Sequence, residues 1–133
     1  MLFLLIYTTH LVQSVFKFMI ISINYKNSAI KKNSSNLVLF VDEKFNISHL
    51  KKHISTSEYS YISDIIKIKS PQKKIVSFDI SSKRKIILVS LNKNLSNSDV
   101  ENLGAKFYDQ FKDSKQLEYI ANSDTIPSAS KNT

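Results

Sequence analysis

Residues 75–91 read IVSFDISSKRKIILVSL, and this stretch decides the fold class. From Ile75 to Ile80 the side chains alternate. Ile75, Ser77 and Asp79 share one face, and Val76, Phe78 and Ile80 share the other, which is the period of a strand. Ser81-Ser82-Lys83-Arg84 reads as a turn. Ile86–Leu91 is then continuously apolar, as strands buried on both faces are. The four-residue connection predicts an antiparallel hairpin.

Upstream, Leu37–Val41 (LVLFV) is a second continuous apolar run, the kind found in α/β sheets. Residues 19–25 (MIISINY) are β-branched and aromatic and predict an opening strand. Residues 26–36 are polar and read as a loop. Residues 46–54 (NISHLKKHI) read as a short helix or turn. Ser57 is a candidate N-cap for a helix running to about Lys67, with Tyr59, Ile62 and Ile66 at helical spacing and Tyr61 and Ile65 beside them. Pro71 discourages its continuation.

A second helix is expected from Ser96 to about Lys112. Ser96 suits the N-cap, Asp99 suits the positive helix end, and Leu95 and Val100 suit a hydrophobic staple. Val100, Leu103, Phe107 and Phe111 form its apolar stripe, while Gly104 and Ala105 are small enough for close approach to a sheet. Leu117–Ala121 reads as a last strand and residues 122–133 as a linker or tail. Strand, strand, helix, hairpin, helix, strand predicts an α/β domain with a mixed β-sheet flanked by helices.

The 133 residues suffice for one domain, and 42% hydrophobic with 23% charged residues is ordinary globular usage. There is no cysteine, which excludes disulfides, thiolate metal sites and a cysteine nucleophile, and is compatible with a reducing cytoplasm. Gly104 is the single glycine, so no phosphate-cradling loop can be built. The net charge of +8 invites a nucleic-acid reading, but Arg84 is the lone arginine and arginine makes the commonest base and phosphate forks. The abundance of Lys, Ile, Asn and Ser is what A/T-rich coding produces.

Residues 1–23 (MLFLLIYTTHLVQSVFKFMIISI) are apolar and long enough for a membrane span. Thirteen Leu, Ile, Val and Phe residues favour insertion by about 4–8 kcal/mol, whereas Lys17 alone costs about 3 kcal/mol and His10 and Gln13 bring the sum near zero. No basic residue precedes the run and no small-x-small site follows it, against a secretory signal. Residues 1–18 therefore read as an apolar extension upstream of a start at Met19, with a membrane anchor as the rival reading.

His49 and His53 lie four apart, the spacing of a zinc pair on a helix. Leu50 stands where the hydrolase motif needs glutamate, and no third ligand is near, so two surface histidines on a Lys-rich turn is the favoured reading. The carboxylates are scattered. Lys67, Lys69, Lys73, Lys74, Lys83, Arg84 and Lys85 form the densest basic stretch, read as solvated loop ends that blunt sheet edges. No catalytic, cofactor-binding or metal-binding residue is assigned.

Taken in order, MIISINY, NLVLFVDEKFNISHLKKHI, SYISDIIKI, IVSFDI, KRKIILVSL and SNSDVENLGAKFYDQFK resemble the N-terminal domain of the cytosol (leucyl) aminopeptidases. The strand IILVSLNK (residues 86–93) and the helix centre Leu103-Gly104-Ala105 carry much of the likeness, which spans residues 19–121. The resemblance implies a macro-domain-like mixed sheet and a cytoplasmic protein. It implies that the whole enzyme removes N-terminal residues from peptides with two divalent metals, zinc or manganese, as a hexamer. That chemistry belongs to a separate catalytic domain, whose metal-binding Lys and Asp and Asn-Thr-Asp-Ala-Glu-Gly-Arg signature have no counterpart here, so residues 19–121 are expected to be non-catalytic and to pack on such a domain. A small nucleotide- or nucleic-acid-binding module and a membrane-anchored protein are the alternative readings.

Overall fold

The computed structural model describes residues 2–9, 18–25, 36–115 and 118–128. The expected loop 26–36 lies outside these except for Asn36, as do the last five residues of the expected tail. Six strands form one mixed sheet: β1 (Leu2–Thr9), β2 (Phe18–Tyr25), β3 (Asn36–Asp42), β4 (Ile75–Ser81), β5 (Arg84–Leu91) and β6 (Glu118–Ala121). Two α-helices join them, α1 (Thr56–Ile68) and α2 (Asn97–Phe111), with short 3-10 turns at Ser48–Lys52 and Ser123–Thr125. The strand order is β2-β1-β6-β3-β5-β4.

β3 is the centre of the parallel part. It runs parallel to β5, from Asn36 opposite Lys85 to Asp42 opposite Leu91, and parallel to β6 at Leu37–Ile120 and Val38–Ala121. The hairpin read from the sequence is present. β4 and β5 pair antiparallel from Ile75 opposite Val89 to Ser81 opposite Arg84, so only Ser82 and Lys83 make the turn, and the register shifts between Asp79 and Ser81. That shift is an irregularity that bends the hairpin near its tip.

Alternation along β3 and β5 puts the two helices on opposite faces. Leu37, Leu39, Val41, Ile86 and Leu88 point to one face and meet Leu50, Ile54 and Ile62, with Tyr59, Ile65 and Ile66 of α1 packed beside them. Val38, Ile87, Val89 and Leu91 point to the other and meet Phe111, Tyr119 and Leu95, with Leu103 and Phe107 of α2. Each fully buried Leu or Ile contributes about 1.5–3 kcal/mol of transfer free energy. α2 is seated by an aromatic trio: Phe107, Phe111 and Tyr119 have ring centroids 4.8–5.6 Å apart, with Phe107 edge-on to Tyr119.

Both helices begin in capping boxes, in which a serine oxygen accepts an N–H of the first turn and the third helical carboxylate accepts the serine N–H. In α2 these are Ser96 and Asp99, as expected. In α1 they are Ser55 and Glu58, so the cap stands two residues before the expected Ser57. The α2 stripe starts at Leu103, because Val100 is 56% exposed, too open for the expected staple with Leu95. Gly104 and Ala105 face solvent, and a Cβ built on Gly104 meets nothing within 4 Å, so the small residues serve no close approach to the sheet.

At the amino terminus, β1 pairs antiparallel with β2 along its whole length, from Leu2–Tyr25 to Thr9–Phe18, and on its other side with β6 from Leu2–Ala121 to Leu5–Glu118. The opening strand expected at 19–25 thus reaches the sheet through residues 2–9. Among the described residues no helix is long and apolar enough to cross a membrane.

Candidate functional site

In sheets of this build, ligands settle beyond the carboxyl ends of the parallel strands, where connections leave for opposite faces. Here β3 leads to α1 on one face and β5 leads to α2 on the other. β6 stops at Ala121, level with Val38, so the upper half of β3 loses its neighbour on that side. The Asn122 N–H still reaches the Val38 carbonyl at 3.0 Å, and the chain then turns through Ser123–Thr125.

That turn closes the gap. Buried Thr125 accepts the Phe40 N–H at its Oγ1 (2.8 Å) and donates its hydroxyl to the Asn122 carbonyl (2.7 Å). His49 Nε2 lies 3.0 Å from the Phe40 carbonyl and 3.0 Å from the Thr125 carbonyl. Carbonyls only accept, so Nε2 carries a proton shared between them. The Asn122 amide oxygen accepts the Asp124 N–H, which leaves its amide nitrogen to donate to His53 Nδ1 at 3.2 Å. These bonds tie the strand end, the 3-10 turn at 48–52 and the 3-10 turn at 123–125 together on the β6 side of β3.

Two readings change as a result. His49 and His53 are half-buried ties between segments, and the Ser48–Lys52 turn is 3-10, so they do not form the surface pair expected from sequence. Residues 122–126, read as the start of a linker, are docked: Asn122 and Thr125 are buried and Ile126 packs on the α2-side core.

At the other end of β3, buried Asn36 donates to the Glu118 carbonyl (2.9 Å) and accepts the Lys85 N–H (3.2 Å), bridging both neighbouring strands. Beside it Arg84 Nε meets Glu58 Oε1 at 2.5 Å, with both side chains nearly buried. Burial pushes the Glu58 carboxyl up, but the hydrogen bond from Arg84, those from Ser55 and the Arg84 charge outweigh it, and the group titrates below the usual glutamate range. Asp99 is lowered by hydrogen bonds from the Ser96 backbone and side chain.

The basic stretch divides. Lys67, Lys69, Lys73 and Lys74 gather where α1 ends and β4 begins, whereas Lys83, Arg84 and Lys85 lie at the hairpin tip, about 20 Å away along β4. Arg84 is paired with Glu58, Lys85 with Asp79 at 3.3 Å, and Lys74 Nζ donates to Asn92 at 3.2 Å. No single continuous basic face results from these seven residues.

The carboxylates also have local work. Asp42 Oδ1 accepts the N–H groups of Lys44 and Asn46, shaping a turn in which buried Phe45 takes φ 54°. Asp109 pairs with Lys112. Among the described residues no three His, Asp or Glu side chains group as metal ligands. One open groove of about 620 Å³ runs along β4, between Tyr61 and Ile65 of α1 and Gln110 of α2.

Compared with protein-family models, curated proteins and solved structures, the chain has no match.

Proposed function

We propose that this chain is a non-catalytic α/β domain that packs on and helps assemble a larger enzyme of the leucyl aminopeptidase kind. The observation that carries this reading is that the polar groups beside the end of β3 are used internally. On the β6 side of the end of β3, Thr125, His49, Asn122 and His53 are engaged with the chain's own backbone and with one another. The mixed sheet between two helices agrees with the resemblance of residues 19–121, which supplies the aminopeptidase half of the proposal. The two metals, the peptide substrate and the hexamer would belong to the assembled enzyme.

The test is co-expression with a leucyl aminopeptidase catalytic domain in the presence of zinc or manganese. The expected result is co-elution in a hexamer-sized peak, with leucine p-nitroanilide hydrolysed only when the catalytic domain is present. Separate elution refutes the assembly role. Metal-dependent hydrolysis by this chain alone refutes the non-catalytic role.

A further inference from the structure

β4 is an outer strand of the sheet, paired only with β5 among the described residues. The Ser90 N–H bonds to the Lys74 carbonyl at 2.7 Å, which fixes the alternation of the antiparallel ladder. Even-numbered residues turn their main chain toward β5. Ile75, Ser77 and Asp79 turn theirs outward, two regular repeats of open N–H and C=O groups before the register shift.

This edge lies in a slot. The groove of about 620 Å³ has β4 as its floor, Tyr61, Ile65 and Pro71 as apolar wall, and Gln110 on the opposite side. Its charge is lopsided: Lys69 and Lys73 line one end, with exposed Lys67 close by in the sequence, and the one acid lining it, Asp79, is already bonded to Lys85. A second copy of a chain carrying +8 would be repelled, and the register shift at Asp79–Ser81 disturbs self-pairing along the full strand.

We infer that the β4 edge is a strand-addition site for an extended, acidic polypeptide segment. The segment's main chain would pair with Ile75, Ser77 and Asp79, its alternate apolar side chains would lie against Tyr61 and Ile65, and its acidic end would meet Lys69 and Lys73. The inference does not depend on the aminopeptidase reading.

The probes are fluorescein-labelled peptides, Val-Thr-Val-Thr-Val followed by three glutamates, the same with the glutamates first, and versions with lysines instead. Fluorescence anisotropy at low salt should show one glutamate peptide bound, and its lysine version at least about tenfold weaker. The Ser77 and Asp79 amides should gain hydrogen-exchange protection on binding. Ser77→Pro removes an outward N–H at a position where an edge strand tolerates proline, and should weaken binding about tenfold. Lys69→Glu with Lys73→Glu, both exposed, should do the same with the fold intact by circular dichroism.

Equal binding of the glutamate and lysine peptides overturns the inference, as does binding by neither glutamate peptide. Wild-type affinity in both variants also overturns it. A dimer in sedimentation that Ser77→Pro dissolves would make the occupant a second copy and equally overturn it.

Discussion

Replacing Glu58 by glutamine tests whether the contact between α1 and the hairpin is a true charge pair. Glu58 does two jobs at once. Its Oε2 accepts the Ser55 N–H at 2.9 Å in the capping box, and its Oε1 meets Arg84 Nε at 2.5 Å, with side-chain exposures of 11% and 13%. Glutamine can keep one amide oxygen for the cap but takes the Glu58 charge away from the guanidinium of Arg84. Hydrogen bonds to charged groups are worth about 1.5–3 kcal/mol, so Glu58→Gln should lose about 2–3 kcal/mol. Arg84→Met should lose a similar amount, and the double variant should fall well short of the sum, with a coupling of about 2 kcal/mol.

The pH dependence has a definite sign. The folded carboxyl titrates below its unfolded range, so its contribution is complete above the unfolded value and is lost as pH falls through the folded one. Urea unfolding at a series of pH values should therefore show wild type and Glu58→Gln converging on acidification below the ordinary glutamate range. A stability difference independent of pH, or a coupling near zero, would refute the charge-pair argument.

Tyr119→Phe should be neutral or stabilising by up to about 1–2 kcal/mol in urea unfolding, because the ring is fully buried and its hydroxyl finds no hydrogen-bond partner among the described residues. Gly104→Ala should raise stability by about 0.5–1 kcal/mol, since the position is helical, exposed and sterically open. Thr125→Val should cost about 2 kcal/mol and speed hydrogen exchange at the Phe40 amide, which then lacks its acceptor. Starting the chain at Met19 removes β1 and bares one edge of β6, so proteolysis near residues 118–121 should accelerate relative to the chain starting at Met1.

The elements set by local chemistry were legible in the sequence. The β4–β5 hairpin follows from the alternation at 75–80 and the turn residues after it, and α2 follows from Ser96, Asp99 and the Leu103, Phe107, Phe111 stripe. The α1 cap was legible too, as Ser55-x-x-Glu58, but the adjacent Ser57 offered a competing choice. The candidate site was not legible. Its ties join residues far apart, His49 with Thr125 and His53 with Asn122, and in so Asn- and Ser-rich a chain no spacing marks these positions. The pairing of residues 2–9 was not legible for another reason: an apolar run suits a membrane, a signal or a sheet alike, and its partners in β2 and β6 are marked by no spacing.

The short turn after β6 acts as a stand-in for a missing strand segment. While Thr125 and His49 occupy the Phe40 N–H and C=O, the middle of the sheet offers no foothold. Were the peptide from Asn122 onward to peel away, an interior strand would acquire a raw flank beside its own core, a template on which a foreign strand could nucleate. A few hydrogen bonds at the chain's far end thus guard against misassembly as well as completing the fold.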